Sequence, residues 1–554
     1  MYFTYTHYPF VRPAELDGAA VRHAVAVVGG GPVGLTAALA LARFGVRAVV
    51  IEPRDCVSHG SRATCISRRS LEVLDRVGPG PAITAKGVWW HSGRTYFRDR
   101  QVFALEAPHS NEDRHPPFLN MQQCAFEQFL VDACHANPAV EIRWHSRVAA
   151  IAAGKDGVAL TVETPAGSYR LDADWVVAAD GAHSTVREAL GLRFEGTSYE
   201  GRYLISDIEL DTDTPAERRV WFDPPSNPGS TIIMHCQPDN IWRFDSQLRP
   251  DEDDEQELED DRLKARIRRH LDFIGERGRW SLVWSSLYRA HCLTLPAYRA
   301  GRVLFAGDAA HLVPIFGVRG LNSGIEDTLN LGWKLAFVVR GLAPEALLDS
   351  YSGERHAATV ENHFQATKST WFMTPPGPGF TLMRDAVLSL ATAEPRVRGL
   401  INPRQTSPFV YADSELNTPD GAAAGVALGE VLPNLRVDVR RNGKAADGHL
   451  LELAGDGFLG LQFAPAGDEA VDALGMEAAR APVPVTLVRV GDGAQRGAAI
   501  AVRDGEIAGR LGARAGELML FRPDDHLCAR LVAPTGPALR RAVLRALGRA
   551  PATG

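Results

Sequence analysis

Cysteine is scarce in this chain of 554 residues: seven are present, and no two form a C-x-x-C pair. That argues against a zinc site and against a disulfide framework, and the odd, sparse count fits a reducing cytoplasm. The amino-terminal end lacks a basic segment followed by an apolar run. Its aromatic residues Tyr2, Phe3, Tyr5, Tyr8 and Phe10 are interrupted by Pro9 and Pro13, so residues 1–22 read as an extended arm and not as a secretion signal. Charge is nearly absent from Ala24 to Ala42, close to the ~20 residues a membrane span needs. Three consecutive glycines and Pro32 stand inside that stretch and would ruin a lipid-facing helix, so no membrane association is expected. Positive charge is not in excess either: the net charge is −7, which offers nucleic acid no overall attraction. The acidic cluster from Asp251 to Asp261 reads as a solvated surface leading into a helix. A hydrophobic content of 45 % with 23 % charged residues describes a globular protein, long enough for two or three domains.

What is present begins with Gly29-Gly30-Gly31-Pro32-Val33-Gly34. The apolar run Ala24 to Val28 before it reads as a buried parallel strand, and Val33 to Phe44 after it as a helix. Gly29 permits the tight turn, Gly31 lets the backbone approach a pyrophosphate, and Gly34 lets helix pack on strand. The helix N-terminus aims N–H groups and partial positive charge at the phosphates. A second apolar strand, Val46 to Ile51, ends in Glu52, placed to accept a ribose hydroxyl.

Two further segments repeat the strand-then-turn pattern. Trp175 to Ala179 runs into Asp180-Gly181, with Ser184 as N-cap of the following helix. Val303 to Phe305 runs into Gly307-Asp308-Ala309-Ala310-His311, then Pro314 and the glycine-rich turn Phe316 to Asn322. That turn enters a helix whose Ile325, Leu329, Gly332, Trp333 and Ala336 share one face. A carboxylate at Asp308 suits a ribityl or ribose hydroxyl. The helix start at Gly320-Leu321-Asn322 suits an acceptor edge such as the pyrimidine side of a flavin. No second G-x-G-x-x-G is present.

In this order and spacing the three segments resemble the signatures of the class A flavoprotein monooxygenases, the single-component FAD-dependent aromatic hydroxylases. Ser61-Arg62-Ala63 resembles the stretch whose arginine reaches the cofactor, and Gln123, with Glu127 on the same helix, resembles the family's cofactor-contacting glutamine. The long carboxy-terminal extension is most similar to the phenol hydroxylase and 3-(3-hydroxyphenyl)propionate hydroxylase branch. The resemblance implies an α/β fold: a Rossmann-like FAD-binding domain, an inserted β-sheet substrate domain and a C-terminal thioredoxin-like domain. It implies bound FAD, a transient NADH or NADPH with no means of choosing between them, and O2. The expected reaction is hydroxylation of a phenolic ring through a flavin C4a-hydroperoxide. Baeyer–Villiger or epoxidising chemistry on a polyketide-like substrate is the alternative. Homodimers are common in similar proteins.

The expected organisation is an arm over 1–22, FAD-binding segments over 23–194 and 296–400, and a substrate domain mostly within 195–295. A linker over 401–428 and a redox-inactive thioredoxin-like domain over 429–554 complete it. Strands are expected at Tyr203 to Leu210, Ser230 to Cys236, Ile241 to Leu248 and Trp280 to Tyr288. Hydroxylation calls for a group that favours the phenolate, and His235, Arg243 and Trp221 stand in the expected substrate domain, with Tyr203 and Tyr288 as further candidates. His235 is equally readable as a hydrogen-bonded core histidine, and Arg243 as a sheet arginine. Arg319 and Pro314, in the loop leading to the flavin helix, are candidates for the reactive side, with His311 either touching the site or supporting it. Many relatives have two prolines where this chain has Pro314-Ile315, so Ile315 departs from the pattern.

Overall fold

The apolar run that opens the cofactor part forms the strand Arg22–Val28, and the glycine turn feeds the helix Pro32–Arg43 with proline in its first turn. The computed structural model describes residues 3–401, 405–419, 425–441, 444–464, 468–491, 500–502 and 506–549. Gly29 has φ +104°, and a Cβ there would sit 2.5 Å from the Ala179 carbonyl oxygen. Two chain segments therefore meet at this turn with no room for a side chain.

Five strands lie parallel in the order Val303–Phe305, Gly167–Ala178, Arg22–Val28, Ala48–Ile51 and Val140–Arg143. Helices cover this sheet, so its strands carry unbroken apolar runs: Val25, Val27, Val50, Val176 and Val177 are all fully buried. Each such side chain contributes about 1.5–3 kcal/mol relative to exposure. The helix Gly320–Val339 packs on Pro32–Arg43, and Gly332 makes the contact possible, since a Cβ there would lie 2.7 Å from that of Ala40.

The second sheet has eight strands, antiparallel except where Arg218–Phe222 meets Ser92–Phe97. All four strands expected between residues 203 and 288 form, as Glu195–Leu210, Thr231–Cys236, Ile241–Gln247 and Trp280–Thr294. Two outer strands, Ser92–Phe97 and Arg100–Glu106, come from well upstream of residue 195. Their short alternation is broken by Arg94, Arg98 and Arg100, which hid them in the sequence. One face of the sheet is apolar: Ile208, Trp221, Met234, Trp242 and Phe244 pack on Ile267 and Leu271 of the helix Asp260–Phe273. By register the opposite face carries Tyr203, Asp207, Arg218, His235, Arg243 and Asp245. A buried sheet face this rich in polar groups points to function as much as to packing.

The carboxy-terminal part holds a seven-stranded sheet in which Phe458–Phe463 and Val485–Val490 run parallel, while Leu518–Phe521 and Leu527–Leu531 form an antiparallel pair. Helices Asp468–Arg480 and Gly536–Ala546 accompany it. Of the expected linker, residues 402–404 and 420–424 lie outside the described residues. The amino-terminal arm lies on the body: Tyr8 stacks on Trp144 at 4.7 Å, and buried Glu15 pairs with Arg143 at 3.0 Å.

The turn at Arg522 to His526 docks this part through buried charge. Asp525 pairs with both Arg69 and Arg76 of the helix Arg68–Val77. Asp524 accepts from Trp333 Nε1 at 2.9 Å and Asn330 Nδ2 at 3.1 Å, and Arg522 grips Glu354 at 2.6 Å. Nearby, burial pushes the Glu72 carboxyl up to about 7, with Arg69 pulling the other way. The folded state thus holds this proton more tightly than the unfolded chain. The resulting stabilisation is full below the unfolded pKa and is lost as pH rises towards 7. We predict that Glu72→Gln narrows the difference in urea-unfolding free energy between pH 5 and pH 8 by roughly 1–3 kcal/mol. An unchanged difference would contradict the assignment.

Candidate active site

The three motif segments converge on one cavity of about 480 Å³. Gly29 and Gly31 line it from the first turn, Glu52 from the second strand, and Asp180 from the third segment. Asp308, Gly320 and Leu321 line it from the downstream segment, and Arg62 and Gln123 from the connecting loop and helix. The other three predicted residues stand behind the wall. Gly34 packs against Gly29, Gly307 donates its N–H to Asp327 at 3.0 Å, and Asn322 ties the helix start to the Cys65 carbonyl and the Ser67 N–H.

The polar groups of this wall are held in place from outside it. Glu52 accepts from Gly30 N at 2.6 Å and from Arg54 Nε at 2.7 Å. Gln123 accepts from Ala63 N at 3.0 Å and donates to Glu127 at 2.7 Å, so its amide fixes the Arg62–Ala63 backbone. Burial raises the Glu127 carboxyl, while Arg54, Gln123 and Ser58 oppose the shift. One oxygen of Asp180 accepts from Val186 N, whereas Oδ1 is buried with no partner among the described residues. Asp308 is exposed to the cavity space; desolvation by the surrounding protein raises its carboxyl, with His311 and Arg62 pulling it down. These features fit a dinucleotide cofactor: a glycine turn clear of side chains at Gly31, a helix start at Gly320, and carboxylate oxygens at Asp180 and Asp308 available to hydroxyl groups.

His311 is fully buried and bonds Asp327 at 2.7 Å, while the other Asp327 oxygen takes Arg355 Nε at 2.6 Å. Burial opposes it, but His311 and Arg355 hold the Asp327 carboxyl below its ordinary range. Of the two readings open for His311, the supporting one is what this geometry describes, since Asp327 also fixes the Gly307 turn.

The four candidates for the reaction itself do not meet at one point. Arg243 pairs with Asp207 at 2.8 Å and donates to the carbonyls of Ser61 and Arg62. It thereby positions the loop that carries Arg62, and it is committed there instead of being presented to a ligand. His235 faces Asp245 at 3.5 Å, and burial lowers its pKa, with Asp245 opposing. Arg319 is buried and donates to Asn362 at 2.9 Å. Pro314 and Ile315 immediately precede the glycine-rich turn, and Ile315 packs against the apolar cluster that contains Phe316.

A second cavity, of about 510 Å³, lies between the polar face of the sheet and the helices Leu347–Met373 and Pro378–Ala391. Val220, Phe222, Phe103, Phe372 and Met373 give it an apolar aromatic lining. Phe316 packs in the same apolar cluster and lies edge-on to Tyr203 at 5.3 Å, four residues before Gly320 of the first cavity. Tyr288 donates to the Val313 carbonyl at 3.4 Å, and burial raises the pKa of both tyrosines. Sequence reading did not find Arg54, Arg147 and Thr185, which also line the first cavity. Arg54 is two residues past Glu52, a usable signal; Arg147 arrives on a strand with no local motif.

The Asp308 side chain makes no hydrogen bond to protein among the described residues, so its loss costs the fold little. We expect Asp308→Ala to keep its far-UV spectrum but to hold FAD roughly ten- to a hundredfold more weakly. Stoichiometric, tightly held FAD in the variant would contradict the assignment.

A family profile described as an FAD binding domain matches residues 22–365. The 3-(3-hydroxy-phenyl)propionate/3-hydroxycinnamic acid hydroxylase of Mycolicibacterium smegmatis is 31 % identical over 436 residues, covering 78 % of this chain and 76 % of that protein. Its counterpart in a Mycobacterium species is 30 % identical over 94 % of this chain and 91 % of its own length. Among solved structures, the flavin-dependent monooxygenase PieE, in complex with FAD and substrate, superposes with a TM-score of 0.79 at 22 % identity, covering 96 % of this chain and all of that one. The p-nitrophenol 4-monooxygenase PnpA of Pseudomonas putida gives 0.60 at 28 % identity, covering 69 % of this chain and 99 % of that one. With its dinucleotide cavity built from all three motif segments, the chain belongs to the FAD-dependent class A flavoprotein monooxygenases.

Proposed function

We propose that this FAD-dependent, NAD(P)H-consuming monooxygenase hydroxylates a phenolic ring seated in the second cavity. The observation that carries the reading is the pairing of cavities: a polar one built from the dinucleotide motifs, and an apolar aromatic one whose cluster of Val220, Phe222 and Met373 includes Phe316, four residues before Gly320 of the first. Curated relatives act, by name, on 3-(3-hydroxyphenyl)propionate and 3-hydroxycinnamic acid, and compounds of that size suit the second cavity. We assign cofactor contacts to Gly29, Gly31, Glu52, Arg62, Gln123, Asp180, Asp308, Gly320 and Leu321. The division into a Rossmann-like cofactor domain, an inserted sheet domain and a thioredoxin-like C-terminal domain is proposed with it.

When bound, FAD supplies the passage of electrons from NAD(P)H to O2, chemistry that side chains cannot perform alone. The chain's own residues hold and enclose the reactants. The glycine turn and the helix start at Gly320 orient the dinucleotide, and Gln123 and Arg243 keep the Arg62 loop at its wall. Phe316, Tyr203, Phe222 and Met373 exclude water from the ring's surroundings, as chemistry supplied by the bound flavin would require. A ring held by these walls faces the cofactor in one orientation, which sets the position of the new hydroxyl. The Tyr203 and Tyr288 hydroxyls, kept protonated by burial, are placed to donate hydrogen bonds and not to act as bases. The test is product analysis for a panel of phenols. A gained hydroxyl on the ring supports the reading, and oxygen inserted between ring carbons would replace it with Baeyer–Villiger chemistry.

A further inference from the structure

Among the described residues, Arg218 is the guanidinium in the second cavity's wall that the fold leaves uncommitted. It stands on the strand Arg218–Phe222, on the same face as Val220 and Phe222. Its side chain makes no hydrogen bond, ion pair or ring contact among the described residues, and its Nε is buried without a partner. The cavity's other cations are placed differently. Arg94 is bound to Glu217 at 2.8 Å, and Lys368 is exposed at the rim, over the ring of Phe364 at 3.8 Å. Arg218 lies within electrostatic reach of Asp245 on the same sheet face and of Cys65, on the strand Cys65–Ser67 that follows the Arg62 loop. Asp245 is itself turned towards His235 at 3.5 Å and makes no ion pair with Arg218.

An arginine cannot shed its charge inside a protein, and a half-buried guanidinium left unpaired, as here, carries a desolvation cost. A fold that keeps one facing an aromatic cavity gains from it only when an anion arrives. Guanidinium geometry favours a planar, two-oxygen partner, for which a carboxylate is the match. We infer that Arg218 is the specificity-determining anchor of this enzyme, binding the carboxylate of an aromatic acid substrate and so fixing which ring position faces the cofactor. The inference rests on the second cavity being the substrate site. It goes beyond the hydroxylase reading by requiring an anionic substrate and by naming the residue that selects it.

The test uses the FAD-loaded full chain with 3-(3-hydroxyphenyl)propionate and its methyl ester, which share a ring and differ in charge. Binding is read from perturbation of the flavin absorption spectrum, independently of turnover, and kcat/KM from NAD(P)H oxidation. The wild type is expected to bind the acid at least about tenfold more tightly than the ester. Arg218→Met should weaken acid binding about thirtyfold and leave ester binding within about threefold, with Arg218→Lys recovering part of the loss. Equal losses for acid and ester, or a wild type with no preference for the acid, would overturn the inference. The wild-type comparison decides the matter even if a variant fails to retain FAD. Failure of the hydroxylase reading looks different: no oxygenated product from acid, ester or phenol, whatever the binding preference.

Discussion

Protein carrying Gly34→Val is expected to be recovered without FAD and without a stable fold, whereas Gly31→Val, in the same motif, should fold and still lack FAD. A Cβ on Gly34 would lie 1.9 Å from the Gly29 carbonyl oxygen, and both atoms belong to a turn already fixed by the sheet. Neither backbone can retreat, because Gly29 is pressed against Ala179 and Asp180 on its other side. The cost falls in the exceptional class, above about 4 kcal/mol. A Cβ on Gly31 meets nothing within 4 Å, so valine there fits the polypeptide and occupies cavity space instead. Circular dichroism together with flavin content separates the two outcomes. A folded, FAD-replete Gly34→Val protein would show that this turn is not built as described.

Asp525→Asn should destabilise the protein by about 3–5 kcal/mol, the range for removing one partner of a buried ion pair. Two arginines, Arg69 and Arg76, converge on this one carboxylate, and all three side chains are at most 5 % exposed. Asparagine preserves shape and tolerates the left-handed backbone at this position, where φ is +69°, so the change isolates the charge. Because Arg69 and Arg76 stand on the helix that follows the cofactor loop, the carboxy-terminal part should loosen from it, and flavin release should occur at a lower temperature. Denaturant unfolding followed by flavin fluorescence measures both effects. A loss under about 0.5 kcal/mol, the scale of a neutral surface change, would mean that the pair contributes little to holding the two parts together.

The cofactor cavity was legible because each wall segment carries its own local signal. A strand ending in glycine or aspartate, followed by a helix, is written within about ten residues, and Gly29, Asp180 and Asp308 all meet at the site. The strand at residues 303–305 forms where it was expected, since a short apolar run followed by a glycine turn leaves little freedom. The catalytic candidates were harder to read. Arg243 and Arg218 are both arginines on one face of the same sheet, two strands apart, and nothing local separates them. Only the fold shows that Asp207, 36 positions away, claims the first and leaves the second uncommitted. The partners of the turn Arg522 to His526, Arg69 and Arg76, lie about 450 residues upstream, beyond any local pattern.

The central claim, oxygen transfer to an aromatic ring, is tested most directly by incubating FAD-loaded protein with NAD(P)H, a panel of phenolic compounds and ¹⁸O-labelled dioxygen, and reading product masses. The account predicts reductant oxidation stimulated by a phenolic ligand and a product that has gained a single labelled oxygen as a ring hydroxyl. Full flavin occupancy with reductant consumed but no labelled product from any phenol would contradict it.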